Sequence, residues 1–381
     1  MFCPLSLKTQ ESTIWEQTTP NNPLTHRPIQ LHMGKESAEA LRSLEIHNEQ
    51  IHDLKNNGFT LKIKETETNV KVNIISHMMD MKAAHLYLGL GGAFCDLCDF
   101  SKEQCHNVDV IANGFKINRT VQDLHTIFED IQQDGEVVKA SGDYNIRGGL
   151  TTKPIPTSGV KSVQVLHGLL RSFDHFMKVC VHLLAHVYDW SESWNTARKL
   201  LHVHRDIIVN MLPEKDRAAM TEYGQKLSVI LRLMSSSSVI DVESYMNLCT
   251  DAQICLLTSY PWVKITPSLH KVFAHSWELI ELNDDRGLKN LDESGLEGNN
   301  KILRNIRMNL SRKTSQQDNL TDCIRRLWVS SDPILNQIRA DTKPFCAHCS
   351  TKGHSTRYCM KRLPPSGPDT SDDALFKSLL A

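Results

Sequence analysis

The sequence predicts an α+β protein in which a short segment of strand character precedes a long helical block and a small cysteine/histidine module. Three observations predict it. The β-branched runs GFTLKIKE (58–65) and NVKVNIIS (69–76) flank a charged turn, the pattern of a hairpin. From about residue 120 strand signals fade and long amphipathic or fully apolar helical stretches follow one another. Near the C terminus, CAHCSTKGHSTRYC sets Cys346, Cys349, His354 and Cys359 in the spacing C-x2-C-x4-H-x4-C. That is the ligand set of a CCHC zinc knuckle, a module too small to fold without its metal.

Composition bounds the function. The chain has 381 residues, 40% of them hydrophobic, enough for two or three domains with a sizeable core. A net charge of −1 announces no global basic field, so nucleic-acid contact must come from local clusters. No apolar run approaches the roughly 20 residues that span a bilayer, and the first residues, MFCPLSLKTQEST, lack the pattern of a secretory or organellar leader. A soluble intracellular protein with no membrane partner is expected. Eleven cysteines, with two C-x-x-C pairs and histidines nearby, fit metal ligation better than a disulfide framework.

Along the chain, residues 1–27 are polar and rich in Thr, Asn and Pro and read as a flexible N terminus. RPIQLHM alternates weakly, SAEALRSLEIHNEQIHDL repeats apolar residues at helical spacing, and MKAAHLYLGL reads as a helix, so 28–90 reads β-α-β-β-α. A Gly/Pro/Thr-rich stretch, 140–159, leads into four helices ending near Tyr260. A short helix at TPSLHKVFAHSWELIEL, a polar loop, a basic helix at about 297–313 and another near 318–340 follow. The expected boundaries are 1–27 N terminus, 28–92 first part of the core, 93–280 helical insert, 281–340 C-terminal helices, 341–362 knuckle and 363–381 flexible tail.

Two metal candidates emerge. The knuckle is complete in itself, and Lys352, Arg357, Lys361 and Arg362 beside it suit phosphate contact. Cys95 and Cys98 in GGAFCDLCDFS are only half a site. His270 and His275, as H-x4-H, are one completion; Cys105, His106, His202 and His204 are rivals that spacing does not exclude. Residues five apart stand about 140° around a regular helix. A helix carrying both His270 and His275 as ligands must therefore be distorted or end between them.

LHKVFAHSWELIE, followed by ESGLEGNNKILRNIRMNLSRK, resembles the closing segment of the catalytic core of the recombination-activating protein 1-like family, which includes the V(D)J recombinase subunit and Transib-type transposases. AFCDLCD and MMDMK resemble that family's C-x-x-C segment and the aspartate-bearing strand end before it, and the CCHC tail resembles its invertebrate forms; the match in order and spacing covers residues 28–360. The resemblance implies a ribonuclease-H-like mixed sheet interrupted by a large helical zinc-binding insert. It completes the first zinc site as Cys95, Cys98, His270 and His275.

The implied chemistry is two-metal phosphoryl transfer, in which three carboxylates hold Mg²⁺ or Mn²⁺ ions about 4 Å apart to nick DNA and transfer the strand. The second carboxylate falls on Asp80 and the third on Glu297, with Glu293 its neighbouring alternative. By themselves these read more plainly: Asp80 as a helix cap and Glu297 as a first-turn acid. Lys301, Arg304, Arg307, Arg312 and Lys313 would follow the DNA backbone. The first carboxylate breaks the pattern. LHMGKES puts Lys35 where the family has aspartate, and an ammonium there repels the two cations. VLHGLL keeps His167 but lacks the acid the family tends to carry after it.

A DNA-binding recombinase or transposase core, deficient in cleavage, is therefore expected. An active endonuclease using Glu36 as substitute ligand is the alternative, and a zinc-knuckle nucleic-acid binder of other ancestry is a third reading. The family's dimerisation and signal-binding regions upstream of the first strand are expected to be missing. The resemblance implies a nuclear location and DNA as partner, and it admits a recombination-activating protein 2-like subunit and a homodimer.

Overall fold

The computed structural model describes residues 6–8, 11–16, 22–28, 37, 41–42, 45–63, 66–73, 81–92, 94–99, 104–133, 149–155, 164–184, 201, 204–341, 349–350 and 371–381. In chain order the elements begin with β1 (Ser6–Lys8), β2 (Thr13–Glu16), α1 (Glu45–Asn57), β3 (Phe59–Ile63), β4 (Thr66–Val70) and α2 (Met81–Leu88). The helical block comprises α3 (Val108–Asn113), α4 (Val121–Gln133), α5 (Val165–Leu183), α6 (Arg205–Asn210), α7 (Glu214–Met234), α8 (Val242–Ser259), α9 (Pro267–His270) and α10 (Ser276–Glu281). After it come α11 (Ser294–Asn305), α12 (Gln316–Ser330), α13 (Pro333–Asp341) and α14 (Ser371–Ser378). No helix among the described residues is long and apolar enough to cross a membrane.

Helix dominates, as the periodicity predicts, but the sheet differs from expectation. Among the described residues, strands form two separate antiparallel pairs, β1 with β2 and β3 with β4. The expected hairpin is present in the register Phe59↔Val70 to Ile63↔Thr66, although its second strand runs 66–70 rather than 69–76. Gly58, at φ +67°, makes the entry to it, and a Cβ there would lie 2.3 Å from the Val70 carbonyl oxygen. Residues 29–36 and 74–80, which carry the expected first strand, Lys35, Glu36 and Asp80, lie outside the described residues.

The chain divides into two compact units. The first comprises Met1–Met33 and Lys289–Thr370. Its N-terminal part, expected to be flexible, instead contains the β1–β2 hairpin and a 3-10 turn, Pro23–Thr25. Asn22 caps that turn by accepting from Leu24 N at 3.0 Å. Helix α11 lies against it through glycines: a Cβ on Gly298 would meet Pro23 Cγ at 2.3 Å, and one on Gly295 would meet His26 Cε1 at 2.3 Å. Asn299, buried, donates to the Pro23 carbonyl at 2.9 Å. Trp328 Nε1 donates to the Pro28 carbonyl at 2.8 Å, and Ile306, Cys323 and Leu327 form a small core between the end of α11 and α12.

The second unit comprises Gly34–Leu288 and Ser371–Ala381. Its core is the packing of α5, α7 and α8, where Phe176, Met220, Tyr223, Leu227, Ile230, Tyr245 and Leu256 are fully buried. The apolar residues of α7 recur at helical spacing, which is why the helix spans Glu214–Met234 as the pattern EKDRAAMTEYGQKLSVILRLM predicts. A satellite cluster of Ala84, Leu88, Leu124, Phe128 and Leu150 holds α2 to α4.

The last residues were expected as a flexible tail, yet α14 docks on this core. Asp372 accepts from Arg205 Nη1 at 2.5 Å with both side chains buried, and Asp373 accepts from Arg232 at 2.7 Å. Arg232 also sits over the Phe376 ring, and Leu380 bridges Ile240. The tail's apolar residues, Leu375, Phe376 and Leu379, sit at helical spacing, and α7 is the surface they face.

Candidate metal centre

Cys95, Cys98, His270 and His275 come together in the second unit. Each offers a ligand atom within 4.8 Å of all the others, and all four side chains are buried. The local backbone explains how two histidines five apart do this. Between α9 and α10 the chain takes a π turn, Lys271–His275. Hydrogen bonding from i to i+5 stacks such residues, where a regular helix would splay them. The ring centroids of His270 and His275 are accordingly 5.0 Å apart, with the rings near perpendicular. The distortion that the spacing requires is therefore present.

Hydrogen bonds orient several of these side chains. His275 Nδ1 lies 3.0 Å from Glu278 Oε2, and Glu278 is itself fixed by accepting from Ile117 N at 3.0 Å. A histidine held at Nδ1 by a carboxylate presents Nε2 to a metal. That Nε2 is buried and has no hydrogen-bond partner, as a metal-facing nitrogen should be. His270 Nε2 is 3.2 Å from Cys98 Sγ, and Leu97 N donates to Cys95 Sγ at 3.4 Å. Burial pushes the Cys95 thiol up, but Cys98, His270 and His275 outweigh it and hold Cys95 well below the usual thiol range. Burial lowers His270, whereas at His275 the thiolate and Glu278 overcome burial and raise it to about 9.

The residues next to the ligands are paired as well. Asp96 and Lys271, following Cys95 and His270 in sequence, form a buried ion pair at 2.6 Å. Arg119 Nε donates to the Cys98 carbonyl at 3.0 Å. Two sulfurs and two imidazole nitrogens, buried and mutually close, match the donor set and compactness of a closed tetrahedral zinc site. Of the rivals, His106 Nε2 faces the Val263 carbonyl at 2.8 Å, and Cys105 lies on the far nitrogen of His270. Burial, with Cys95 nearby, pushes the Cys105 thiol well up. His204 precedes α6, and His202 lies outside the described residues.

Glu297 is exposed in the first turn of α11, in the first unit, and shares an outward face with Lys301 and Arg304 at i+4 and i+7. Gly295, Gly298 and Asn299 occupy the buried side, so packing sets that orientation. Glu293, by contrast, is 4% exposed. Arg307 is also exposed, whereas Arg312 is forked onto Asp322 at 3.0 and 2.9 Å and Lys313 donates to the Arg307 carbonyl. Arg312 thus spends its fork within the protein. Of the residues expected to form the knuckle, Cys349 is described, half-buried; Cys346, His354, Cys359, Lys352, Arg357, Lys361 and Arg362 lie outside the described residues.

Sequence reasoning missed a cleft of about 500 Å³ in the second unit, lined among others by Lys82, His85, His167 and Arg171. Met81 also lines it. Lys82 on α2 and Arg171 on α5 stand 89 positions apart in sequence, so no local charge run marks it.

Residues 1–93 match the family model described as Recombination-activation protein 1 (RAG1) RNase H domain. The match likens residues 1–93 to a ribonuclease-H-like domain of the kind found in that recombinase. Over those residues the chain is similar to the RAG1 family. No curated protein matches it.

Proposed function

We propose that this protein is the DNA-binding core of a RAG1-like recombinase or transposase, acting in the nucleus, that holds a structural zinc on Cys95, Cys98, His270 and His275 and a second in the CCHC knuckle. The RNase H-domain match over residues 1–93 carries the reading. The convergence of a C-x-x-C pair with histidines from beyond the helical block supports it. Zinc supplies the first site with a fixed clasp between these distant segments, and the chemistry with DNA is left to carboxylates and cations elsewhere.

Asp80 and Glu297 are the proposed ligands for Mg²⁺ or Mn²⁺. Glu297 suits the role because its exposed face also presents Lys301 and Arg304, cations that can meet phosphates flanking a scissile bond. Lys35 makes the protein deficient in cleavage. Loss of a bridging carboxylate and gain of an ammonium remove several kcal/mol of transition-state stabilisation, a rate loss of several decades. Incubated with Mn²⁺ and signal-bearing DNA, the native chain should not nick, and Lys35→Asp should restore nicking. Nicking by the native chain that Asp80→Ala abolishes would show instead an active enzyme with another ligand, such as Glu36. A RAG2-like subunit and a second copy of the chain are the proposed protein partners, tested by co-purification and by mass in solution.

The cleft at Lys82, His167 and Arg171 is the proposed path of the DNA backbone. Arg171→Ala should weaken binding evenly across sequences and reduce the slope of log affinity against log salt by about 1. Titrations at several salt concentrations measure this, and an unchanged slope would exclude Arg171 from the phosphate path.

A further inference from the structure

Cys105 lies in the 3-10 turn Gln104–His106, fully buried, with its Sγ 3.4 Å from His270 Nδ1. The other nitrogen of that ring, Nε2, is 3.2 Å from Cys98 Sγ. The imidazole therefore stands between Cys105 and the four-ligand cluster, and Cys105 is not among the groups that converge there. A histidine that ligates through Nε2 carries its proton on Nδ1, and that proton needs an acceptor. At His275 the acceptor is the Glu278 carboxylate. At His270 the atom in that position is the Cys105 sulfur.

We propose that Cys105 is a positioning residue for the metal centre, accepting from His270 Nδ1 and so fixing the tautomer and ring angle that turn Nε2 toward the metal. This rests on the zinc reading of the cluster. The support is built rather than incidental. The Cys105 carbonyl accepts from buried Gln253 Nε2 at 3.2 Å, and His106 Nε2 lies 2.8 Å from the Val263 carbonyl, so the turn is anchored at Cys105 itself and at the residue after it. The edge of Phe115 closes another side of the His270 ring at 4.9 Å between centroids. Partners of this kind are worth about 10–100-fold in metal affinity.

The test uses the full chain carrying Cys346→Ser and Cys349→Ser, so that the knuckle does not contribute to the count. In this background the protein should bind one equivalent of Zn²⁺, measured against a competing chelator. Cys105→Val, similar in shape but no acceptor, should lower affinity about 10–100-fold, while Cys105→Ser should stay near the starting value. With Co²⁺ the thiolate charge-transfer band should be equally intense in all three, since two sulfurs ligate throughout. Unchanged affinity in Cys105→Val would overturn the proposal, as would a band weakened by about a third, which would make Cys105 a ligand. Absence of any bound metal in the background protein would instead overturn the zinc reading, and this inference with it.

Discussion

Replacing His275 by alanine is expected to remove one equivalent of zinc from the protein and to destabilise the second unit by on the order of 5 kcal/mol. The site joins segments more than 170 residues apart in sequence, so the metal closes a very long loop, and its binding free energy serves as folding free energy. Without the imidazole, two thiols and one histidine remain in a buried pocket beside a buried Lys271–Asp96 pair, and the charge of the thiolates loses its compensation. A unit of this size should melt on the order of 10 °C lower.

Glu278→Gln should do much less. It keeps a carbonyl oxygen for the Nδ1 proton, so its effect belongs to the roughly 10–100-fold range in affinity. The metal-dependent stability should fall on acidification, because the cysteines must lose protons to bind zinc and regain them on its release. Equal zinc content and equal melting temperature in His275→Ala and the native chain would refute the assignment.

How much of this could be read from the sequence depends on the range of the interaction. Local patterns were legible: the apolar spacing of α7 and α8, the hairpin at 58–70, and the need for a distorted turn between His270 and His275. Spacing left Cys105, His106, His202 and His204 open as ligands, and only resemblance favoured His270 and His275 before the geometry brought them together. Whether a sulfur meets a ring at Nε2 or Nδ1 has no signature in a linear pattern.

The pairings Lys271 with Asp96 and Arg205 with Asp372 span 175 and 167 residues and were equally invisible. The N-terminal hairpin and α14 were missed because both segments are short. Such segments acquire structure only when tertiary contacts offset the entropy of ordering them. In α11 the glycines of SGLEG look like a weak helix start by propensity, yet they permit the close approach to Pro23 and His26 that turns Glu297 outward.

Asp372→Ala should be the most damaging change in the C-terminal segment, at about 3 kcal/mol. Its carboxylate is fully buried against an Arg205 side chain that is 4% exposed, so alanine leaves a guanidinium in the interior with half its partners gone. Asp206, 71% exposed, still holds Nε and Nη2 at 3.1 and 3.0 Å, which keeps the cost at the lower end of the range for a broken buried pair. Arg205 packs close over Gly224, where a Cβ would lie 2.7 Å from its Cδ.

Asp373→Asn is the informative control. It weakens the Arg232 pair, partly exposed on both sides, whose worth is about 1 kcal/mol or less. Chemical denaturation of the two variants should therefore separate clearly, with amide exchange in 371–381 sped up far more by Asp372→Ala. Equal stability of the two would mean that the Arg205–Asp372 contact merely decorates a helix held by Phe376 and Leu379. A large loss from Asp372→Ala would establish that residues 371–381 are fastened to the rest of the second unit by a buried charge.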